Sequence, residues 1–254
     1  MPTQQFDDPV AAYDKLAAEY AAFSQRRSRY LRAVENHIVL RIPAGAQSLL
    51  DIGAGDGSRA MRIAAAAKLP TVVLLEPSAG MAGAAASGAE HWRMRAEDLD
   101  PVAISQRFDV ITCLWNVLGH VPQASRVRSL SAAARLLSDH GRLFLDVNHR
   151  YNARSYGWLA TCARWLRDAT LPSPQTGDVI ASWSVGADRI STPGHVFRHR
   201  EILGLAQQSG LEAIGRIVLD YEGGTLRHFP WRGNLLYVLR RSSRIESASA
   251  PATS

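Results

Sequence analysis

Residues 49–60 read LLDIGAGDGSRA, and no other stretch restricts the fold as much. Leu49, Leu50 and Ile52 suit the end of a short apolar strand. Asp51, Gly53, Ala54, Gly55, Asp56 and Gly57 follow as a turn too rich in glycine for a helix interior. From Ser58 onward Met61, Ile63 and the alanines at 64–67 fit a helix. A strand that runs through glycines into a helix lets a ligand approach the backbone N–H groups, because no Cβ stands in the way. The spacing rules out two uses of such a loop. A nucleotide phosphate loop needs GxxxxGK[ST], which is absent. The dinucleotide fingerprint is GxGxxG, whereas this turn reads GxGxG with an acid two residues before its first glycine. An acid there suits a ligand with a cationic amino-acid end better than a pyrophosphate.

The rest of the chain supplies the surroundings such a turn needs. Strands are expected near 48–52, 71–76, 91–94, 108–114 and 142–147, with helices near 58–67, 79–87 and 123–137. This alternation predicts a parallel sheet. Ahead of it, Tyr13, Leu16, Ala17, Tyr20 and Phe23 recur at helical spacing, and a second helix is expected over about 29–41, stopped by Pro43 and Gly45. These helices are placed to cover one side of the ligand cleft. The segment 148–195 breaks the rhythm with Trp158, Trp165, Trp183, Pro172, Pro174 and a strand at 178–185. Alternation then resumes as a helix at 198–209 and strands at 211–220 and 234–240. The fold expected is α/β, a doubly wound, seven-stranded, mostly parallel sheet. One domain spans 1–241, with a helical cover over 1–44 and an inserted lid over 148–195. The polar, small-residue tail 242–254 reads as disordered.

Glu76 stands where the apolar run VVLL leaves the sheet, about the ~20 residues beyond a glycine loop expected of a ribose-binding acid. Its two oxygens can accept both ribose hydroxyls. Pro77 and Ser78 then start a helix whose Met81 can reach back over an adenine edge. With the acid-led turn, these residues resemble motif I and its successor in the class I S-adenosylmethionine-dependent methyltransferases. The resemblance covers about residues 45–150 and the final strands. It implies S-adenosylmethionine as cofactor, with Gly53, Ala54 and Gly55 close to it. Asp51 would either hold the turn or attract the cofactor's amino group. MRAEDLD at 94–100 stands where many of these enzymes read GDAEDLP, which implies an adenine contact through Glu97 or the Ala96 backbone, although Arg95 replaces the usual aspartate. Leu114 and Trp115 lie at the carboxyl end of the fourth strand, where open α/β sheets bind ligands.

The run WNVLGHV is similar to GNSFAHL in relatives of glycine and sarcosine N-methyltransferases, with Asn116 and His120 in register. Methyl transfer from a sulfonium asks little of side chains, since in-line positioning supplies most of the rate. A hydroxyl acceptor needs a base, for which histidine is the natural candidate, and either His120 after the fourth strand or His149 after the fifth could border the acceptor. His120, Asn116 and Tyr151 are therefore the candidate catalytic residues. Aromatic side chains of the lid either box the acceptor or form the lid's own small core. Cys113 sits inside an apolar strand without a preceding proline, so a buried core thiol is expected there, not a nucleophile.

Composition narrows the partners. The chain has 254 residues, 46% of them hydrophobic, and no run near the ~18 apolar residues of a membrane span. The start MPTQQFDDPV lacks a basic region followed by an apolar one, and the two cysteines suit free thiols, so a cytoplasmic setting is expected. Formal charge is +6, carried almost wholly by arginine and spread along the chain, without the aromatic interleaving of a single-strand surface. Nucleic acid is therefore an unfavoured partner. No His/Cys/acid cluster has metal-ligand spacing. The expected function is methyl transfer to N or O of a small-molecule acceptor. The alternatives are an RNA or protein methyltransferase, or a non-catalytic cofactor-binding partner subunit.

Overall fold

The computed structural model describes residues 6–83, 88–171, 173, 175–186 and 188–243. Two helices come first, α1 (Pro9–Arg26) and α2 (Ser28–Val39). Then β1 (Ser48–Ile52), α3 (Ser58–Ala67), β2 (Thr71–Leu75), α4 (Ala79–Gly83), β3 (Glu90–Trp92), β4 (Phe108–Cys113), α5 (Arg126–Leu136) and β5 (Leu137–Val147) alternate. After them come α6 (Ala153–Tyr156), α7 (Trp158–Thr170), β6 (Asp178–Val185), β7 (Asp188–His195), α8 (His199–Gln208), β8 (Leu211–Leu219) and β9 (Asn234–Arg241).

The seven-stranded sheet has the order β3-β2-β1-β4-β5-β9-β8. The first five strands are parallel, and β9 runs antiparallel between β5 and β8. Every side chain of β1 is buried, as a central strand covered on both faces requires. Alternation along β1 feeds two cores. Leu50 and Ile52 join Leu130 and Leu136 of α5 and Ile202 of α8, whereas Leu49 joins Leu31, Val34 and Ile38 of α2 and Ile63 of α3. The strand order reverses between β1 and β4, and at that switch point a crevice opens beyond the carboxyl ends of the strands.

Among the described residues the expected elements are present, with two differences. β5 begins at Leu137, which pairs with Phe108 before a register shift, so the expected helix over 123–137 shortens to α5. The segment 148–195 divides into helices α6 and α7 and a separate hairpin, β6–β7, whose second strand was not foreseen because Pro193 and Gly194 read as breakers. In a two-stranded sheet every strand is an edge, where proline is tolerated. Part of the helix expected over 79–87, at 84–87, and the tail from 244 lie outside the described residues.

Candidate active site

Gly53 and Gly55 take φ of 70° and 59° in the turn after β1, a region side chains resist. A Cβ on Gly55 would lie 3.2 Å from both Met81 Cε and the Tyr20 hydroxyl. The turn's N–H groups are used within the fold. Gly53 and Ala54 donate to the Leu75 carbonyl at 2.8 and 3.1 Å, and Gly55 donates to Glu76 Oε2 at 2.8 Å. The glycines thus bring backbone close to a guest without offering it these donors, which corrects the expectation from sequence. The physical cause is that the end of β2 keeps pairing with the turn after β1 stops.

Glu76 leaves β2 with its other oxygen accepting from Ser78 N at 2.9 Å. Burial raises its pKa, while the bonds from Ser78 and Gly55 pull the other way. Of the positions nominated from sequence, Gly53, Gly55, Glu76, Pro77, Met81, Ala96, Glu97, Leu114 and Trp115 line one cavity. Asp51 and Ala54 are buried and do not form its wall. Arg95, the departure from the family pattern, pairs with Asp8 just before α1 at 2.7 Å, so it ties α1 to the loop holding Ala96 and Glu97.

Beneath the turn, Asp51 Oδ1 accepts from Thr112 Oγ1 at 2.6 Å, while Oδ2 has no partner among the described residues. Burial pushes this carboxyl up to about 6, against the pull of Arg59 and Thr112. Arg59 was missed from sequence. It opens α3 and lines the cavity at 6% exposure, with its guanidinium 5.6 Å from the Trp115 ring centre and Nη1 unpartnered among the described residues. The only available signal was its position two residues past the last glycine, and a chain rich in arginine hides such a signal. Two buried groups of opposite charge therefore each keep one atom free of protein hydrogen bonds.

A second cavity of about 350 Å³ shares Tyr13, Tyr20, Trp115 and His120 with the first. α1, the exit of β4, the β6–β7 hairpin and Tyr221 enclose it. His120 sits in the 3₁₀ turn Val117–His120. Its Nδ1 lies 3.1 Å from the Pro193 carbonyl, to which it must donate, so Nε2 bears the lone pair and accepts from the Tyr13 hydroxyl at 3.3 Å. Burial holds this imidazole below its ordinary 6.5, with the Pro193 bond opposing. An imidazole with its Nε2 lone pair turned to Tyr13 therefore stands at the junction of the two cavities.

Trp115 and Asn116 both adopt left-handed φ, 55° and 64°, at a cost of about 1–3 kcal/mol each for non-glycine residues. Buried Asp146 holds them there. Its Oδ2 accepts from Trp115 N at 3.0 Å and its Oδ1 from the Tyr30 hydroxyl at 2.5 Å, while its carbonyl accepts from Asn116 N at 3.0 Å. The Asn116 amide donates to the His195 carbonyl and accepts from Asn148 N, both at 3.0 Å. Asn116 lines the second cavity, yet its side chain is engaged in tying β4, β5 and β7 together.

Tyr151 is not brought to either cavity. Its hydroxyl donates to Asp168 at 2.8 Å, on the carboxylate that Arg150 also grips, and its ring meets Trp231 beside α7. Cys113 is buried and its thiol is pushed up to about 12, too high for a nucleophile near neutral pH. Among the described residues no group of three His, Cys, Asp or Glu could hold a metal, and no helix is long and apolar enough to cross a membrane.

An open sheet of this order with an acid-led glycine turn at its switch point defines a class I methyltransferase, an enzyme class whose methyl donor is S-adenosylmethionine. A family model described as a methyltransferase domain matches residues 14–215, and the chain belongs to that family. The CcbJ methyltransferase from Streptomyces caelestis has a similar structure, with TM-score 0.65 and 16% identity, covering 94% of this chain and 100% of its own. The sugar N-methyltransferase KedS8 from a Streptoalloteichus species aligns with TM-score 0.58 and 19% identity, over 88% of this chain and 93% of its own. CalS10, an amino pentose methyltransferase from Micromonospora echinaspora, gives TM-score 0.55 and 18% identity, over 87% and 95%. No curated protein sequence matches the chain.

Proposed function

We propose that the chain transfers the methyl group of S-adenosylmethionine to a nitrogen or oxygen of a small-molecule acceptor seated beneath α1 and the β6–β7 hairpin. The observation that carries this reading is Arg59, a buried guanidinium on the cavity wall whose Nη1 has no partner among the described residues, with the orphaned Asp51 Oδ2 enclosed off that wall below the glycine turn. The methionine end of the donor carries an ammonium and a carboxylate, the complement of that pair. Glu76 keeps lone pairs beyond the two it gives to Gly55 and Ser78, enough to accept the ribose hydroxyls. Pro77, Met81, Ala96, Glu97 and Leu114 make the wall for adenine, and Gly53 and Gly55 share that wall without a Cβ, which on Gly53 would strike Val117 at 2.5 Å.

The bound donor supplies a methyl group on a positively charged sulfur, whose departure needs no acid. The chain supplies position and a place for a proton. The residues common to both cavities, Tyr13, Tyr20, Trp115 and His120, mark where acceptor and methyl group meet. His120 Nε2 is the proton acceptor for a hydroxyl, reached through the Tyr13 hydroxyl. A neutral amine needs no base before attack and gives up its proton afterwards.

His120→Ala should lower kcat for a hydroxyl acceptor by about 10²–10⁴-fold. Affinity for S-adenosylhomocysteine should stay within about threefold, roughly 0.65 kcal/mol. Because burial lowers the imidazole pKa, the base is neutral at pH 7, and wild-type activity should fall only as pH drops through a value below 6.5. The variant should lose that limb. Undiminished methylation by His120→Ala removes His120 from the chemistry.

A further inference from the structure

The second cavity has an unusual combination of walls. Six phenyl, phenol or indole rings line it, those of Tyr13, Tyr20, Phe23, Trp115, Trp183 and Tyr221, beside the His120 imidazole. Among the described residues its lining contains no aspartate or glutamate, and the fixed charges there are the guanidiniums of Arg26 and Arg27 at the end of α1. Neither arginine has a carboxylate partner among the described residues. Arg27 lies over the Tyr221 ring at 4.6 Å and Arg26 over the Phe23 ring at 5.2 Å. Stacking of that kind orients a guanidinium, and with five N–H donors each arginine keeps some for a carboxylate or phosphate even where Arg27 also bonds the Tyr221 hydroxyl.

From this we infer that the acceptor is a small aromatic acid. Its ring packs among the six aromatic side chains, its anionic group meets Arg26 and Arg27, and its hydroxyl or amine points toward His120. The inference rests on the reading of this cavity as the acceptor site. A ring-lined cavity can also attract cations through the ring faces. Here three of those rings already carry guanidiniums, those of Arg26, Arg27 and Arg59, which repel a further cation, and among the described lining residues no carboxylate is present to hold one. A cavity of about 350 Å³ lies at the small end of ligand sites, which suits a compact ring system. The electron balance is simple. A lone pair of the acceptor oxygen or nitrogen forms the new bond to the methyl carbon as the carbon–sulfur bond breaks. That bond's electron pair stays on sulfur, giving neutral S-adenosylhomocysteine. The acceptor's proton passes by way of Tyr13 to His120 Nε2 and then to water.

The test uses protein saturated with S-adenosylhomocysteine and follows tryptophan fluorescence, since Trp115 and Trp183 line the cavity. Three probes are titrated: 4-hydroxybenzoate, its neutral methyl ester, and glucosamine. The acid should bind at least tenfold more tightly than the ester, and glucosamine more weakly than either. The double substitution R26Q/R27Q should bring acid and ester to within about twofold, while affinity for S-adenosylhomocysteine stays unchanged. An ester that binds as well as the acid, a preference for glucosamine, an intact preference in the double variant, or no binding by the acid overturns the inference. The proposed function is read separately in the same experiment. Protein that binds S-adenosylhomocysteine but not the acid loses only the acceptor class, whereas failure to bind S-adenosylhomocysteine removes the function itself.

Discussion

Glu76 anchors both the fold and the cavity with a single carboxylate. Each oxygen takes one backbone N–H, from Gly55 and from Ser78, and so ties the glycine turn to the start of α4. A carboxylate offers about four lone-pair sites, so two remain on the cavity side. Charge-assisted hydrogen bonds contribute about 1.5–3 kcal/mol each. Glu76→Ala should therefore weaken S-adenosylhomocysteine binding by roughly 100-fold or more, as measured by titration calorimetry. Glu76→Gln keeps one acceptor oxygen and should fall between alanine and wild type. Equal affinity in all three proteins would take Glu76 out of the ribose site. Asp51 and Arg59 stand in contrast, because each has an atom that the fold leaves unsatisfied. Leaving a buried polar atom without a partner costs about 1–3 kcal/mol. Such a cost persists where a ligand completes the arrangement.

At the scale of elements, the hairpin β6–β7 and the helix α7 separate into different roles, although the sequence presents them as one insert. Val179, Ala181, Trp183 and Gly194 of the hairpin line the second cavity, while Tyr151 and Trp165 face a groove with Trp231 on another side. Trp183→Ala should accordingly reduce kcat/KM for the acceptor at least tenfold with little change in S-adenosylhomocysteine affinity. Trp158→Ala and Tyr151→Phe should leave kcat/KM within threefold. Steady-state kinetics on the three variants checks this division, and a large loss in Trp158→Ala would restore a single lid. The difference shows where sequence reasoning ran out. The β1, β2 and β4 elements were legible because buried parallel strands are short apolar runs, and Glu76 was legible because its place after β2 follows from chain direction. The second hairpin strand was hidden by Pro193 and Gly194. In α7 the inward residues are Thr161 and Asp168, whereas Leu159 is 90% exposed, so its apolar stripe points away from the core and misleads a reading based on periodicity. The pairing of Tyr13 with His120 joins residues 107 positions apart, a distance no local pattern spans.

Across the whole molecule, α1 acts as a strap over both cavities. Asp14 accepts from the Ser78 hydroxyl and Gly80 N, Asp8 pairs with Arg95, Tyr13 reaches His120, and Glu19 accepts from Gly186 N in the hairpin. The Asp8–Arg95 pair is half exposed on the Asp8 side, and a surface pair of that kind contributes only about 0–1 kcal/mol. The strap is therefore easy to lift at its first turn. A donor that enters past this turn should bind first and the acceptor second, with S-adenosylhomocysteine leaving last. In product-inhibition kinetics S-adenosylhomocysteine should compete with S-adenosylmethionine but not with the acceptor. Arg95→Ala should speed its release in stopped-flow. A competitive pattern against both substrates would mean that the two cavities fill independently. One strap roofs both cavities, and the hairpin is fastened to it by the Gly186 N–H on Glu19 and by Trp183 against Tyr13. Whatever loosens α1 therefore loosens the walls of both cavities together, so a substitution that frees the helix should disturb the two binding steps as one event.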